Sequence, residues 1–147
     1  MADIIDWGLC KSKFIRIVEK DEEKIKSIID TANYRLNFIK SNKATKENVS
    51  FIVEGYYEII KELLVALLLK NGLKSSNHQC LISFFNKEYP HYEFEVNLIS
   101  QMSYLRNRLN YYGEKIDFDF YDKNRVEFDK IVALLKKLVK SSKLEKD

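Results

Sequence analysis

The sequence predicts an all-α domain, an antiparallel up-and-down four-helix bundle with an extra short helix and an N-terminal arm, on three observations. Four glycines and one proline in 147 residues leave few turns, so the regular elements must be long. Apolar residues make up 46% of the chain and recur at helical spacing in separate long stretches. No stretch alternates in a way that competes as a strand. A chain of this length forms one domain, 1–147, with residues 1–20 as the arm and 141–147 as a frayed basic tail.

The arm carries an apolar cluster at Ile4, Ile5, Trp7 and Leu9, followed by the ambiguous run Phe14-Ile15-Arg16-Ile17-Val18. It reads as a short helical or irregular segment anchored by the Trp7 ring. Asp21 then offers a capping carboxylate, with Glu22 and Glu23 in the first turn where the helix dipole favours them. Ile25, Ile28, Ile29, Ala32, Leu36 and Ile39 give this first long helix one apolar stripe, ending near Asn42, while Lys24, Lys26, Asp30 and Arg35 lie on the solvated side.

The second long helix runs from about Thr45 to Asn71 and stops at Gly72, a residue suited to a left-handed cap. Its apolar residues, from Val49 to Leu68, cover most of the circumference, which places it in the middle of a bundle or at an interface. Glu54, Glu58 and Glu62 form an i, i+4 ladder with Lys61 among them. Two readings stand: a solvated acidic edge, or one glutamate paired with Arg106 of a neighbouring helix.

Asn77 caps a short helix through Asn86 carrying Leu81, Ile82, Phe84 and Phe85, with His78 in its first turn, where a lone histidine is more often a hydrogen-bonded structural residue than a catalyst, although it is one of only two imidazoles in the chain. Tyr89-Pro90-His91 ends it, His91 being an exposed loop residue. The next long helix begins around Glu93, with Phe94, Leu98, Met102, Leu105, Leu109 and Tyr112 as its core stripe, and ends at Gly113. Arg106 falls on the flank of that stripe, beside Ile99 and near Ser103 and Asn110. Asp122 starts the last helix, with Val126, Phe128, Ile131, Val132, Leu135, Leu138 and Val139 in register and Lys136, Lys137, Lys140, Lys143 and Lys146 on its solvated basic end.

The formal charge of +3 permits contact with nucleic acid without demanding it. Cys10 and Cys80 have neither metal-type spacing nor a disulfide framework around them, and read as free thiols of a reducing cytoplasm. Asp3 and Asp6 interrupt any signal peptide, and the longest apolar run, Leu63 to Leu69, falls far short of the roughly 20 residues of a membrane helix. A cytoplasmic protein with no membrane contact is expected. Glycine-rich phosphate loops, paired helical histidines, cysteine pairs and nucleophile elbows are all missing from the sequence, so no metal and no cofactor is expected.

What remains is Tyr104-Leu105-Arg106-Asn107-Arg108-Leu109-Asn110-Tyr111-Tyr112-Gly113. A guanidinium flanked by carboxamides suits a phosphate or carboxylate oxygen, because it offers forked donors and keeps its charge.

With Tyr56 to Leu63, Ala66-Leu67-Leu68, Asn77-His78 and above all Arg106-Asn107, the chain resembles the HEPN family of helical domains. That resemblance implies an up-and-down four-helix bundle with an extra short helix, paired as a two-fold homodimer. It also implies an arginine that works with a histidine separated from it by four to six intervening positions, two such motifs facing each other across the dimer cleft and cutting RNA without a metal. Tyr111 and Tyr112 stand here where the histidine is expected. Imidazole, with a pKa of roughly 6.5, suits the proton transfer, whereas a phenol near 10 does not.

The resemblance therefore implies a protein that binds RNA or nucleotide phosphate through Arg106, Asn107, Asn110 and Tyr112 in a dimer cleft. Arg106 and Tyr111 are its candidate catalytic residues, Glu54, Glu58 and Glu62 stand behind them, and metal-independent endoribonuclease activity is weak or lost. It also implies a toxin–antitoxin-like or nucleotidyltransferase-associated setting, with a small nucleotidyltransferase as partner and Tyr111 or Tyr112 as a candidate for modification. The alternative is a non-catalytic interaction module in which Arg106 is structural.

Overall fold

A computed structural model describes residues 4–141. Met1 to Asp3 and residues 142–147, which hold Lys143, Lys146 and most of the expected frayed tail, lie outside the described residues. The chain is mostly helical: α1 (Trp7–Lys13), β1 (Ile15–Ile17), α2 (Glu22–Lys40), α3 (Val49–Lys70), β2 (Leu73–Ser75), α4 (Gln79–Glu88), α5 (Glu93–Tyr112) and α6 (Phe118–Lys140). No helix among the described residues is long and apolar enough to cross a membrane.

The centre is α3, which packs against α2, α5, α6, α4 and β2. Ile59, Ile60, Leu63, Leu64, Leu67 and Leu68 of α3 are fully buried, as its nearly all-round apolar sequence requires. Gly55 lets α2 come close, since a Cβ there would lie 2.7 Å from Ile39 Cδ1. Tyr56 ties α3 to α6 by donating its hydroxyl to Asp129 Oδ1 at 2.9 Å, and Lys40 of α2 reaches the same oxygen at 3.2 Å. Burial, reinforced by Asp129, pushes the Tyr56 phenol well above its ordinary range.

The expected cap of α2 is present, the Asp21 carboxylate accepting from Lys24 N at 3.0 Å. Helix α3 starts at Val49 rather than near Thr45. Thr45 and Asn48 instead bond reciprocally, Thr45 N to Asn48 Oδ1 and Asn48 N to Thr45 Oγ1, and hold a turn ahead of the helix. Similarly, α6 starts at Phe118 behind the cap Asp117, one turn before Asp122. Phe118, Phe120 and Tyr121 pack on the core and draw that turn into helix.

Four expectations are corrected. The run after α1 forms a strand: β1 pairs antiparallel with β2, Ile15 opposite Ser75 and Ile17 opposite Leu73. Gly72, at φ 72°, turns the chain back after α3, and its carbonyl accepts from Val18 N at 2.8 Å. Cys10 and Cys80 are joined in a disulfide, not free, because α1 packs on α4 and brings their Cα atoms to 5.7 Å. The cysteine argument for a reducing cytoplasm falls with it. Finally, Phe94 and Tyr112 of α5 and Val126 of α6 are exposed. The buried residues of α5 are Val96, Leu98, Ile99, Ser100, Met102 and Ser103, so the buried face keeps Leu98 and Met102 of the expected stripe and is rotated toward the small serines, which permit close approach.

Candidate functional site

The rotation of α5 sets the site. Ile99, Ser103 and Arg106 follow one another at spacings of four and three, so Arg106 continues the buried line instead of flanking it. Ser103 Oγ accepts from Gln79 Nε2 at 2.8 Å, which fixes the start of α4 one turn before Arg106. The guanidinium comes out beside α3, its carbon 5.9 Å from the Tyr57 ring centroid.

Its three nitrogens have different fates. Nη1 donates to Asn107 Oδ1 at 3.2 Å, Nη2 donates to Glu58 Oε1 at 3.1 Å, and Nε is buried with no partner among the described residues. Glu58 divides its carboxylate, because Oε2 takes Lys61 Nζ at 2.7 Å. One carboxylate thus serves two cations. Burial raises the Glu58 pKa, but the bonds and charges of Lys61 and Arg106 outweigh it and hold the group below its ordinary value. Arg106 remains 24% exposed and Glu58 23%, so the pair sits at the surface of the core.

His78 belongs to this cluster. It precedes Gln79 at the N-terminus of α4, is exposed, and its ring makes no hydrogen bond among the described residues, which corrects its reading as a hydrogen-bonded structural residue. Its pKa is lowered, first by the partial burial of the ring although the residue as a whole is exposed, and then by the charges of Lys61 and Arg106, while Glu58 and Glu62 pull the other way. The imidazole is therefore held in its neutral form at pH values where a free one begins to protonate.

The other expected site residues fall elsewhere. Arg108 lies over the rings of Tyr112, at 4.8 Å, and Tyr104, at 5.9 Å, and its Nε donates to Glu114 Oε2 at 2.6 Å. Tyr112 therefore belongs to a second cluster built on Arg108. Tyr111 is 74% exposed and, five residues on from Arg106 in a regular helix, points about 140° away from it. Asn110 is exposed, and Glu54 makes no ion pair among the described residues. Of the three glutamates Glu58 alone pairs with Arg106, and Glu62 acts only through its charge near His78. A wider groove of about 590 Å³, lined by Lys20, Lys26, Ile29, Lys70 and Lys140 among others, contains none of the expected site residues.

Sequence reasoning missed Lys61, Tyr57 and His78 as partners of Arg106. Lys61 stood between Glu58 and Glu62, and His78 was one of two imidazoles in the chain, so both were visible as residues. What the sequence lacked was the rotation of α5 that brings them together. No family model matches this chain, and no curated protein or solved structure matches it.

Proposed function

We propose that this is a HEPN-like protein, an antiparallel four-helix bundle of α2, α3, α5 and α6 with α4 as the extra short helix, that binds RNA or nucleotide phosphate through Arg106 in a cleft between two copies. In this reading it serves a toxin–antitoxin-like or nucleotidyltransferase-associated system, with metal-independent ribonuclease activity weak or lost. The observation that supports it is the half-filled guanidinium edge. Nε and Nη2 point the same way and form one fork, yet Glu58 occupies only Nη2 because Lys61 holds its other oxygen.

A phosphate brings an oxygen for each donor. On its arrival Glu58 keeps the shorter contact with Lys61 and releases Arg106, so the displaced carboxylate is not left unpaired. His78, whose surroundings include the charges of Lys61, Glu58 and Arg106, is the candidate base for the role that neither Tyr111 nor Tyr112 fills. Any residual cleavage passes the 2′-hydroxyl proton to His78 as the 2′-oxygen bonds to phosphorus and the P–O5′ bond breaks, the 5′-oxygen taking a proton from water, so that a 2′,3′-cyclic phosphate and a 5′-hydroxyl result.

The test is retention and cleavage of structured and single-stranded RNA in excess chelator. The expected result is retention that falls about tenfold or more in Arg106→Ala, and slow or absent cleavage that disappears in His78→Ala. RNA neither retained nor cut overturns the reading.

A second reading has one specific observation behind it: the Glu58 contact at 3.1 Å makes Arg106 a brace between α3 and α5. Under that reading Arg106→Ala lowers the melting temperature and leaves RNA retention unchanged.

A further inference from the structure

We propose that the outer face formed by Tyr34, Phe38, Phe51 and Gly55 is the contact surface for a second copy of this chain, related by a two-fold axis. Three large rings stand out of this face: Tyr34 at 75% exposure, Phe38 at 73% and Phe51 at 64%. Tyr34 and Phe38, four residues apart, form a ridge on α2, while Phe51 and Gly55, also four apart, form the facing side on α3. Between them lies a groove of about 360 Å³, floored by Ile39 and the bare backbone of Gly55 and bordered by Arg35.

The patch therefore carries both halves of a contact, protruding rings and a recess that receives a ring. A two-fold axis uses both halves in both copies, because residue i of one meets residue j of the other and the reverse. An unrelated partner would need only one half.

Area points the same way. An aromatic side chain offers roughly 200 Å² when fully exposed, so these three rings present on the order of 400 Å². That is about half of the roughly 800 Å² per partner in a stable interface. The same face of α3 continues through Glu54, Glu58, Lys61, Glu62 and Val65, all half-buried, and extends the patch along the helix. Glu58 lies one turn from Gly55, about 4.5 Å along the axis, so a copy seated on the aromatic patch overhangs the Arg106 fork.

The inference rests on the pairing of two copies proposed above and adds which surface pairs. It is tested by sedimentation equilibrium at about 10 μM, with circular dichroism as the folding control. The wild type is expected to be a dimer. Phe38→Glu with Phe51→Glu is expected to weaken it at least 100-fold, roughly, to monomer with an unchanged helical spectrum, and the milder Phe38→Ala to weaken it about tenfold. Phe94→Glu, at an exposed ring on α5, is expected to leave the dimer intact. A monomeric wild type, a dimer indifferent to both Phe38 variants, or dissociation by Phe94→Glu overturns the proposal. RNA retention is measured separately on the monomeric variant. Retention that survives removal of the dimer but not of Arg106 keeps the phosphate site and rejects the shared cleft, so the two ideas fail in different ways.

Discussion

Glu58 carries more than any other single side chain at the site, since its two oxygens neutralise Lys61 and Arg106 at once. Replacing it by glutamine leaves two half-buried cations facing each other without a carboxylate. Allowing for their partial exposure, Glu58→Gln is expected to cost about 1–2 kcal/mol in urea denaturation at pH 7. The pH dependence follows from the direction of the shifts. A carboxylate held below its ordinary value contributes stability that is complete above the unfolded pKa, near 4.5, and is lost as the pH falls through the lower folded value. His78 adds a second slope of the same sign, because a histidine with a depressed folded pKa binds its proton more readily in the unfolded chain, so stability declines once the pH drops below about 6.5. Denaturation curves between pH 7 and pH 3 should therefore fall less steeply in Glu58→Gln below pH 4.5, and less steeply in His78→Gln below pH 6.5. Superimposable wild-type and variant profiles would remove the assigned electrostatic roles.

The elements were legible from the sequence where one signal decided them. Asp21 and the stripe from Ile25 to Ile39 fixed α2, and the apolar run of α3 announced its central position. Where two physical effects compete, pattern alone does not decide. In α5 both Phe94-Leu98-Met102 and Val96-Ile99-Ser103 repeat at helical spacing, and packing chose a face that takes in Leu98 and Met102 together with the second line and its small serines while it left Phe94 and Tyr112 in solvent. That choice moved Arg106 inward and separated it from Tyr111, so the expected site was half recovered: Arg106, Asn107 and Glu58 come together, whereas Asn110, Tyr111, Tyr112 and Glu54 do not join them. The β1–β2 ladder and the disulfide were illegible for another reason, since each joins segments about 60 to 70 positions apart and depends on where α3 ends. The disulfide closes a separation of 70 residues between two fully buried sulfurs, and in the chain-entropy account such a link stabilises by about 2–4 kcal/mol. Cys10→Ser with Cys80→Ser is accordingly expected to lower the melting temperature by on the order of 10 °C, and alkylation of the unfolded wild type to find no free thiol. Two alkylated cysteines without prior reduction would count against the bridge.

For the molecule as a whole, α3 divides its circumference between two tasks. Its inner faces meet α2, α5 and α6 and hold the fully buried Ile59, Ile60, Leu63, Leu64, Leu67 and Leu68, while its outer face presents Gly55, Glu58, Lys61 and Glu62. A site built on the most deeply packed element keeps its geometry until the whole domain unfolds, because local opening of α3 would have to expose Leu63, Leu67 and Ile60 together. Leu63→Ala removes a fully buried side chain from the middle of that helix and is expected to cost about 3–4 kcal/mol, a large share of an ordinary domain's stability. Leu105→Ala, at a half-buried position on α5 beside Arg106, is expected to cost less, about 1–2 kcal/mol. Native-state hydrogen exchange makes the same point without a mutation. Amides from Ile59 to Leu68 should exchange only through global unfolding and slow in step with measured stability, whereas those of α1, which packs mainly on α4 and β1, should open at lower cost. If the α3 amides exchanged as readily as those of α1, the central helix would not be the rigid support, and Glu58 and Lys61 could not keep the fork of Arg106 half filled.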